Sequence, residues 1–255
     1  MIQIIEKSEA VIEFLRRDGL VNTNILSYLD YDKNAKIYSF KGDVERGVIV
    51  GQRIYTTEDD FMVATTDVEF LRAFWDFLPK GTASFFSGVA KPSFDILLKV
   101  SGVAPDWQSL CKTYAYIGDG DFYFEDNLTY PHDALNVDDA EVVNHFYTYK
   151  HEESLTQIRR NIEDFDTSCI RIDGELAAWC LVHEDGSLGP LYTKEEFRRK
   201  GLGALVSARL MQKLVSKGKT PFVHIVHDNT NPLALVAKFP QMAFTHDCVW
   251  FGLTK

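Results

Sequence analysis

The chain has 255 residues, with 27 Lys and Arg against 37 Asp and Glu, for a formal net charge of -10. That length exceeds a typical single domain and predicts two. The acidic balance argues against binding to nucleic acid or anionic membrane, which needs broad basic surface, while the apolar and charged fractions, 45% and 25%, are those of a soluble globular protein.

Residues 4–17 read as a helix, with Ile5, Val11, Ile12, Phe14 and Leu15 as its apolar stripe and Arg16-Arg17 near its end. Asn22-Thr23-Asn24 starts a short helix through Leu29. Strands are predicted over 35–41, 47–52 and 61–65. Asp67 caps a helix to Leu78 that buries Phe70, Leu71, Phe74 and Trp75, and Pro79 closes it. A further helix runs from Ser93 to Lys99. No catalytic constellation is visible in this half. Trp107–Ala115 is the candidate seam. Thr113–Ile117 and Phe122–Phe124 read as strands around Gly118-Asp119-Gly120, a turn signal.

The second half is better ordered. Asp138 is a candidate cap for a helix rich in acids in its first turn, and 154–162 makes another helix. Strands 168–172 and 176–183 flank the Asp173-Gly174 turn. Asp185-Gly186 then leads into strand 187–193. Helix 201–217 spaces Leu202, Val206, Leu210 and Leu214 by four, and Gly218 ends it. Strand 221–227 follows. Asn231, with Pro232 at the first helical position, caps a short helix. Segments 242–244 and 248–253 read as two closing strands.

Cys111, Cys169, Cys180 and Cys248 form no C-x-x-C pair, and three sit in apolar strand-like settings. They read as reduced, buried and structural, and no metal is expected. Met1 to Glu6 lacks the apolar region of a signal peptide, and no run is long enough to span a bilayer. A cytoplasmic location is the default expectation.

The stretch Arg198-Arg199-Lys200-Gly201-Leu202-Gly203 concentrates three cations and two glycines where a helix begins, on an acidic chain. A helix start presents unpaired N–H groups and the positive end of the macrodipole, which favours a phosphate. Glycine lets a polyphosphate approach the backbone. The pattern points to a phosphorylated small ligand. It is not an ATP loop, since G-x-x-x-x-G-K-[ST] is absent and no carboxylate pair for Mg²⁺ is evident.

The element order, with R-x-x-G-x-G matched by Arg198, Gly201 and Gly203, resembles the GCN5-related N-acyltransferase (GNAT) superfamily. Asp173-Gly174-Glu175-Leu176, Trp179-Cys180, Asp185-Gly186, Leu188-Gly189, Leu191-Tyr192-Thr193 and Glu196-Phe197-Arg198 are similar in spacing to its glycine N-acyltransferase, or FR47-like, branch. The likeness runs over residues 135–255. It implies an α/β (α+β) GNAT fold, a mixed central sheet flanked by helices. It also implies a tandem arrangement, with a degenerate acyltransferase-like domain over 1–111 and a catalytic domain over 112–255.

The resemblance further implies an acyl-CoA donor, acetyl-CoA in the simplest case, and a small-molecule amine or amino acid as acceptor. Amides of Arg199 through Leu202 and Gly203 to Ala204 would hold the pyrophosphate, with the Arg198, Arg199 and Lys200 side chains neutralising it. Strand 187–193, including Thr193, would pair with the pantetheine arm, and the thioester would enter between it and strand 221–227. An N–H near Leu191 or Tyr192 would stabilise the oxyanion. Asn231 would contact the cofactor or simply cap its helix. A homodimer is compatible with this reading.

An amine of pKa about 10 is only about 0.1% neutral at pH 7, a penalty of about 4 kcal/mol, so a general base is expected. Glu196 is the first choice, against a solvated acid beside the basic loop. His224 and His227 are either proton relays or polar strand residues. Tyr147, Tyr149 and His151 are candidates for the acceptor wall, and Trp179 for the core. Many superfamily members carry a tyrosine acid seven residues after the Asn of the last helix. Here that position is Lys238, between Ala237 and Phe239, with Pro240 close behind. The departure keeps open a second class of function, a CoA-binding sensor without catalysis.

Overall fold

The computed structural model describes residues 1–52, 60–127 and 129–255. The chain forms two compact units. One comprises Met1–Tyr114, His224–Thr230 and Phe244–Lys255; the other comprises Ala115–Val223 and Asn231–Ala243.

The first unit is built on β1 (Ile2–Ile5), β2 (Lys36–Phe40), β3 (Val48–Gln52), β4 (Asp60–Ala64), β5 (Ala83–Ala90) and β6 (Trp107–Tyr116). Later in the chain come β10 (Phe222–Val226) and β11 (Met242–Thr254). These eight strands form one mixed sheet in the order β1-β2-β3-β4-β5-β11-β6-β10. β4 and β5 run parallel, and β11 is antiparallel to β5.

Strand alternation sorts the side chains into two cores. Tyr38, Ile49, Phe61 and Val63 face α3 (Val68–Phe77) and α4 (Lys91–Ser101). Ile37, Val48, Val50 and Met62 face α1 (Glu9–Arg16) and α2 (Thr23–Tyr31). Asp67 caps α3 as expected, accepting from the Phe70 N–H at 2.9 Å.

Three expectations change here. The helix over 4–17 begins only at Glu9, because Ile2–Ile5 pairs with β2 in the register Ile5↔Ile37. β-Branched isoleucines suit a strand edge better than a helix start. β5 escaped the sequence reading because it is covered on both faces and lacks alternation. The two closing strands are one, β11, with a register shift between Val249 and Phe251.

The second unit is a three-stranded antiparallel sheet of β7 (Ser168–Ile172), β8 (Glu175–Val182) and β9 (Leu188–Thr193), in that order. One face packs Ile170, Ala178, Cys180 and Val182 on α7 (Leu202–Ser216). The other packs Cys169, Leu176, Trp179 and Leu181 on α5 (Ala140–His145) and α6 (Ser154–Asp164). The cap before α5 is Asn136, reciprocated by Asp139, rather than Asp138. The last short helix, α8 (Thr230–Val236), already includes Asn231, so Asn231 lies inside its first turn and is not the cap.

No strand forms over 122–124. Phe122 is buried among the rings of Tyr116, Phe124 and Phe239, and the Tyr116 hydroxyl donates to the Gly120 carbonyl at 2.5 Å. Ring packing replaces the ladder. The following loop is anchored by Arg209 of α7, which is 1% exposed. Its guanidinium pairs with Asp126 at 2.9 Å and donates to the carbonyls of Asn127, Tyr130 and Pro131 at 3.3, 2.7 and 3.2 Å. Truncation would strip these acceptors of their donor. Arg209→Ala is therefore expected to cost about 3–5 kcal/mol, measured by urea unfolding. A loss below about 1 kcal/mol would mean that water replaces the guanidinium, since a hydrogen bond to a charged group contributes more than that.

Candidate active site

Among the described residues β9 has a hydrogen-bonded neighbour on one side only, β8, so its other edge is open. The register is Ala178↔Thr193, Trp179↔Tyr192 and Cys180↔Leu191. The Lys194 N–H donates to the Ala177 carbonyl at 3.0 Å, which marks that pair as hydrogen-bonded. Bonded and non-bonded pairs alternate along an antiparallel ladder. Tyr192 is thus turned toward β8, and Leu191 and Thr193 present their N–H and C=O groups to the open edge. The Thr193 carbonyl accordingly takes a bond from Arg198 Nε at 3.1 Å. Of the two candidate oxyanion donors, only Leu191 faces outward.

Beyond Thr193 a 3-10 turn, Glu195–Phe197, leads into the basic loop. Arg199 and Gly201 are both left-handed, with φ of +64° and +79°. A Cβ on Gly201 would meet nothing within 4 Å, so glycine is needed there for its dihedrals rather than for space. A Cβ on Gly203 would stand 3.3 Å from Thr193 Oγ1, which places the start of α7 against the end of β9. The first α-helical bond runs from Leu205 N–H to the Gly201 carbonyl. The amides of Leu202, Gly203 and Ala204 precede it and have no acceptor within the helix.

The three cations are not equivalent. Arg198 folds back over Tyr192, with its guanidinium carbon 5.6 Å from the ring centroid, Nη2 3.3 Å from the hydroxyl and Nη1 3.3 Å from Glu195. Lys200 lies over the Phe197 ring at 5.5 Å. Arg199 makes no ion pair among the described residues. Glu196 is exposed on the 3-10 turn, at the loop end of β9.

Tyr192 joins this loop to the opposite wall. Phe146, just after α5, stacks on it at 4.8 Å, and Trp179, fully buried as expected, lies 5.3 Å away. Tyr147 and Tyr149 meet edge to face at 6.1 Å. His151 shares a hydrogen bond with Gln157 at 3.2 Å. The Gln157 amide in turn donates to Glu184 at 3.4 Å. Glu184 lies in the β8–β9 turn, yet it is only 4% exposed. Burial pushes the Tyr147 phenol above its usual pKa, and the charges of Glu184 and Tyr149 add to this. The sequence reading passed over Glu184 because Asp185-Gly186 marks a turn, where acids are ordinarily solvated.

The other candidates lie elsewhere. His224 is 3.0 Å from Thr113 Oγ1 and 3.1 Å from Cys248 Sγ, and His227 pairs with Asp247 at 2.9 Å, all within the first unit. Lys238 and Asn231 are exposed. All four cysteines are free thiols and buried. Burial pushes the thiols of Cys169 and Cys180 up to about 12. Among the described residues no group of three or more His, Cys, Asp or Glu is placed to hold a metal ion, and no helix is long and apolar enough to cross a membrane.

An open strand edge running into a glycine-marked, cationic helix start resembles the arrangement of GNAT proteins. The comparisons agree. The FR47-like protein family matches residues 169–249. Human glycine N-acyltransferase-like protein 1 is 28% identical over 150 residues, which are 58% of this chain and 49% of that protein. The chain thus aligns with about half the length of that relative. A Drosophila protein solved by X-ray crystallography superposes with a TM-score of 0.79 at 16% identity, covering 99% of this chain and 98% of its own. A tandem GNAT protein from the clavulanic acid biosynthesis pathway gives 0.56 at 12% identity, covering 99% and 98%. Residues 169–249 are thus similar to the FR47-like family, and the fold of the chain is that of GNAT proteins of known structure.

The two loop glycines should respond in opposite ways to alanine. Gly201→Ala forces a β-carbon into a left-handed residue and should cost about 1–2 kcal/mol. Gly203→Ala should be neutral or stabilising by up to about 1 kcal/mol, since the position is helical and Thr193 Oγ1 can rotate away. Thermal or urea unfolding of the two variants checks this. Equal losses would show that space, not backbone conformation, selects glycine at both positions.

Proposed function

We propose that this protein is an acyl-CoA-dependent N-acyltransferase, with acetyl-CoA as the simplest donor and a small amine or amino acid as acceptor. The observation that carries the proposal is the continuity of β9's open edge with the unpaired amides at the start of α7. These two backbone features suit the two ends of coenzyme A, an amide-bearing arm and a pyrophosphate. The glycine N-acyltransferase-like relative supports an amine as acceptor.

Coenzyme A would supply a thioester, which activates the acyl carbon toward attack. The chain's own groups do the rest. Arg199 to Ala204 hold the pyrophosphate through main-chain N–H groups, with Arg199 and Lys200 adding charge. Arg198 acts differently, fixing Tyr192 and the Thr193 carbonyl. Thr193 offers its main-chain N–H to the arm, its carbonyl being held by Arg198. The Leu191 N–H faces the edge where negative charge develops on the acyl oxygen, and a positioned donor of this kind contributes about 3–4 kcal/mol to such reactions. Lys238 stands where a tyrosine acid is common in the superfamily, so a thiolate would leave unaided; a free thiol pKa near about 8.5 makes it a fair leaving group. The site groups fall within 112–255. Residues 1–111, read as a degenerate acyltransferase-like domain, carry no counterpart of the 198–204 loop.

Titration calorimetry with acetyl-CoA tests the donor. Binding is expected at one site per chain, weakened about tenfold or more by the double change Arg199→Gly and Lys200→Ala, because two charge-assisted contacts are lost. Release of free thiol is then followed across amino acids and polyamines. Absence of binding by acetyl-CoA and by longer acyl-CoAs would overturn the proposal. Binding without thiol release across the panel would favour a CoA sensor.

A further inference from the structure

We infer that Cys111 and Cys248 form a dithiol that hydrogen peroxide converts to an intramolecular disulfide, with His224 as the first proton acceptor. The three residues belong to the first unit, and the inference does not rest on the transferase reading.

The four buried cysteines fall into two different pairs. Cys169 and Cys180 lie in the second unit, on opposite faces of the three-stranded sheet, so no bond can join them. Burial pushes both thiols up to about 12, which keeps them protonated at neutral pH. Cys111 is on β6 and Cys248 on β11, which are neighbours in the large sheet. The Thr113 hydroxyl donates to Cys248 Sγ at 3.3 Å. Cys111 is two residues from Thr113 and so shares its face of β6. The Cys111 thiol accordingly hydrogen-bonds with the Cys248 sulfur. Cross-strand neighbours have Cα atoms about 4.5–5.5 Å apart, inside the range of about 4.4–6.8 Å that a disulfide spans. The bond can therefore close without separating the strands.

The setting is polar. His224 Nδ1 is 3.1 Å from Cys248 Sγ and 3.0 Å from Thr113 Oγ1. His246 Nε2 is 3.5 Å from the same hydroxyl, and Ser109 Oγ is 3.9 Å from Cys111 Sγ. The hydrogen bond with Cys248 holds the Cys111 thiol below its usual pKa despite burial, and Ser109 adds to this. A thiol that only fills space needs none of these partners, and burial in apolar surroundings would raise its pKa instead. Cys111 is 4% exposed and Cys248 0%, so the reactant must be small and uncharged. Hydrogen peroxide is scarcely larger than water. A disulfide of glutathione or of another protein is too bulky to reach either sulfur.

The reaction balances. Cys248 gives its proton to His224 Nδ1, and the thiolate attacks one peroxide oxygen. The S–O bond forms, the O–O bond breaks, and the released hydroxide takes the proton back from the imidazolium as water. Cys111 then attacks the sulfenic sulfur of Cys248. The S–S bond forms, the S–O bond breaks, and the departing hydroxide leaves with the Cys111 proton as a second water. The two sulfurs lose the two electrons that the peroxide gains.

The unaltered protein tests the inference. It is treated with hydrogen peroxide, blocked with iodoacetamide in denaturant, and mapped by peptide mass spectrometry before and after reduction. Two of the four thiols should be lost, and Cys111 and Cys248 should be recovered in one linked peptide pair. Oxidised glutathione at the same concentration should leave all four thiols intact. Cys111→Ala should halt the reaction at a sulfenic acid on Cys248, trapped with dimedone, and Cys248→Ala should form no disulfide. His224→Asn should slow disulfide formation about tenfold or more, because the thiolate fraction sets the rate.

The peptide map needs no variant, so it decides the matter even where a substitution in the core prevents folding. Retention of all four thiols under peroxide, linkage of any other pair, or equal reaction with oxidised glutathione would overturn the inference. An unchanged rate in His224→Asn would overturn the role given to His224. Calorimetry with acetyl-CoA is a separate measurement, so failure of the transferase reading and failure of this one are told apart.

Discussion

The constraint on which the site depends is the unpaired edge of β9. A strand edge carries N–H and C=O groups that must find partners, and proteins ordinarily cover or blunt such edges. Here the edge residues Leu191 and Thr193 lead within a few residues to the start of α7, whose first amides are also unpaired. Two kinds of backbone donor therefore follow one another along a single stretch of chain. A ligand that pairs with both must combine amide-like groups with an anion, and it meets main chain first and side chains second.

Holding that backbone in place falls to side chains packed against it. The start of α7 lies against Thr193, and the Arg198 guanidinium ties the Thr193 carbonyl to the Tyr192 ring. Tyr192 is in turn packed against Phe146 and Trp179. The arginine of the R-x-x-G-x-G signature thus has a structural explanation that does not require it to reach the phosphate. Lysine at 198 would keep the charge but lose the planar fork that spans carbonyl, hydroxyl and ring.

Much of this was legible in the sequence. The basic loop, the α7 stripe and the β7–β8–β9 hairpins were readable because glycines and alternation fix them locally. What was not legible depended on distant partners. Ile2–Ile5 became a strand only because Lys36–Phe40 is there to pair with it. β5 hid because a strand covered on both faces has no period. Arg209 looked like an ordinary cation on a helix, and nothing nearby in sequence announces that Asp126, Asn127, Tyr130 and Pro131 lie against it. Glu184 was invisible for the same reason: a turn acid reads as solvated until Gln157, twenty-seven residues earlier, is brought beside it.

The net charge of -10 and a polyanionic ligand are compatible because the two act over different distances. At physiological ionic strength the screening length is about 8 Å, so acids spread over the surface contribute little at the loop. The local field is set by Arg199, Lys200 and the helix start, which follow one another on the 198–204 loop. Lys194 and Arg198, the nearest other cations, are engaged with Glu175 at 2.5 Å and Glu195 at 3.3 Å, so they add little net charge. With the proposed donor and acceptor, the acidic remainder would raise the local concentration of a cationic amine and repel the anionic donor at long range, so salt would speed donor association while slowing that of a cationic acceptor.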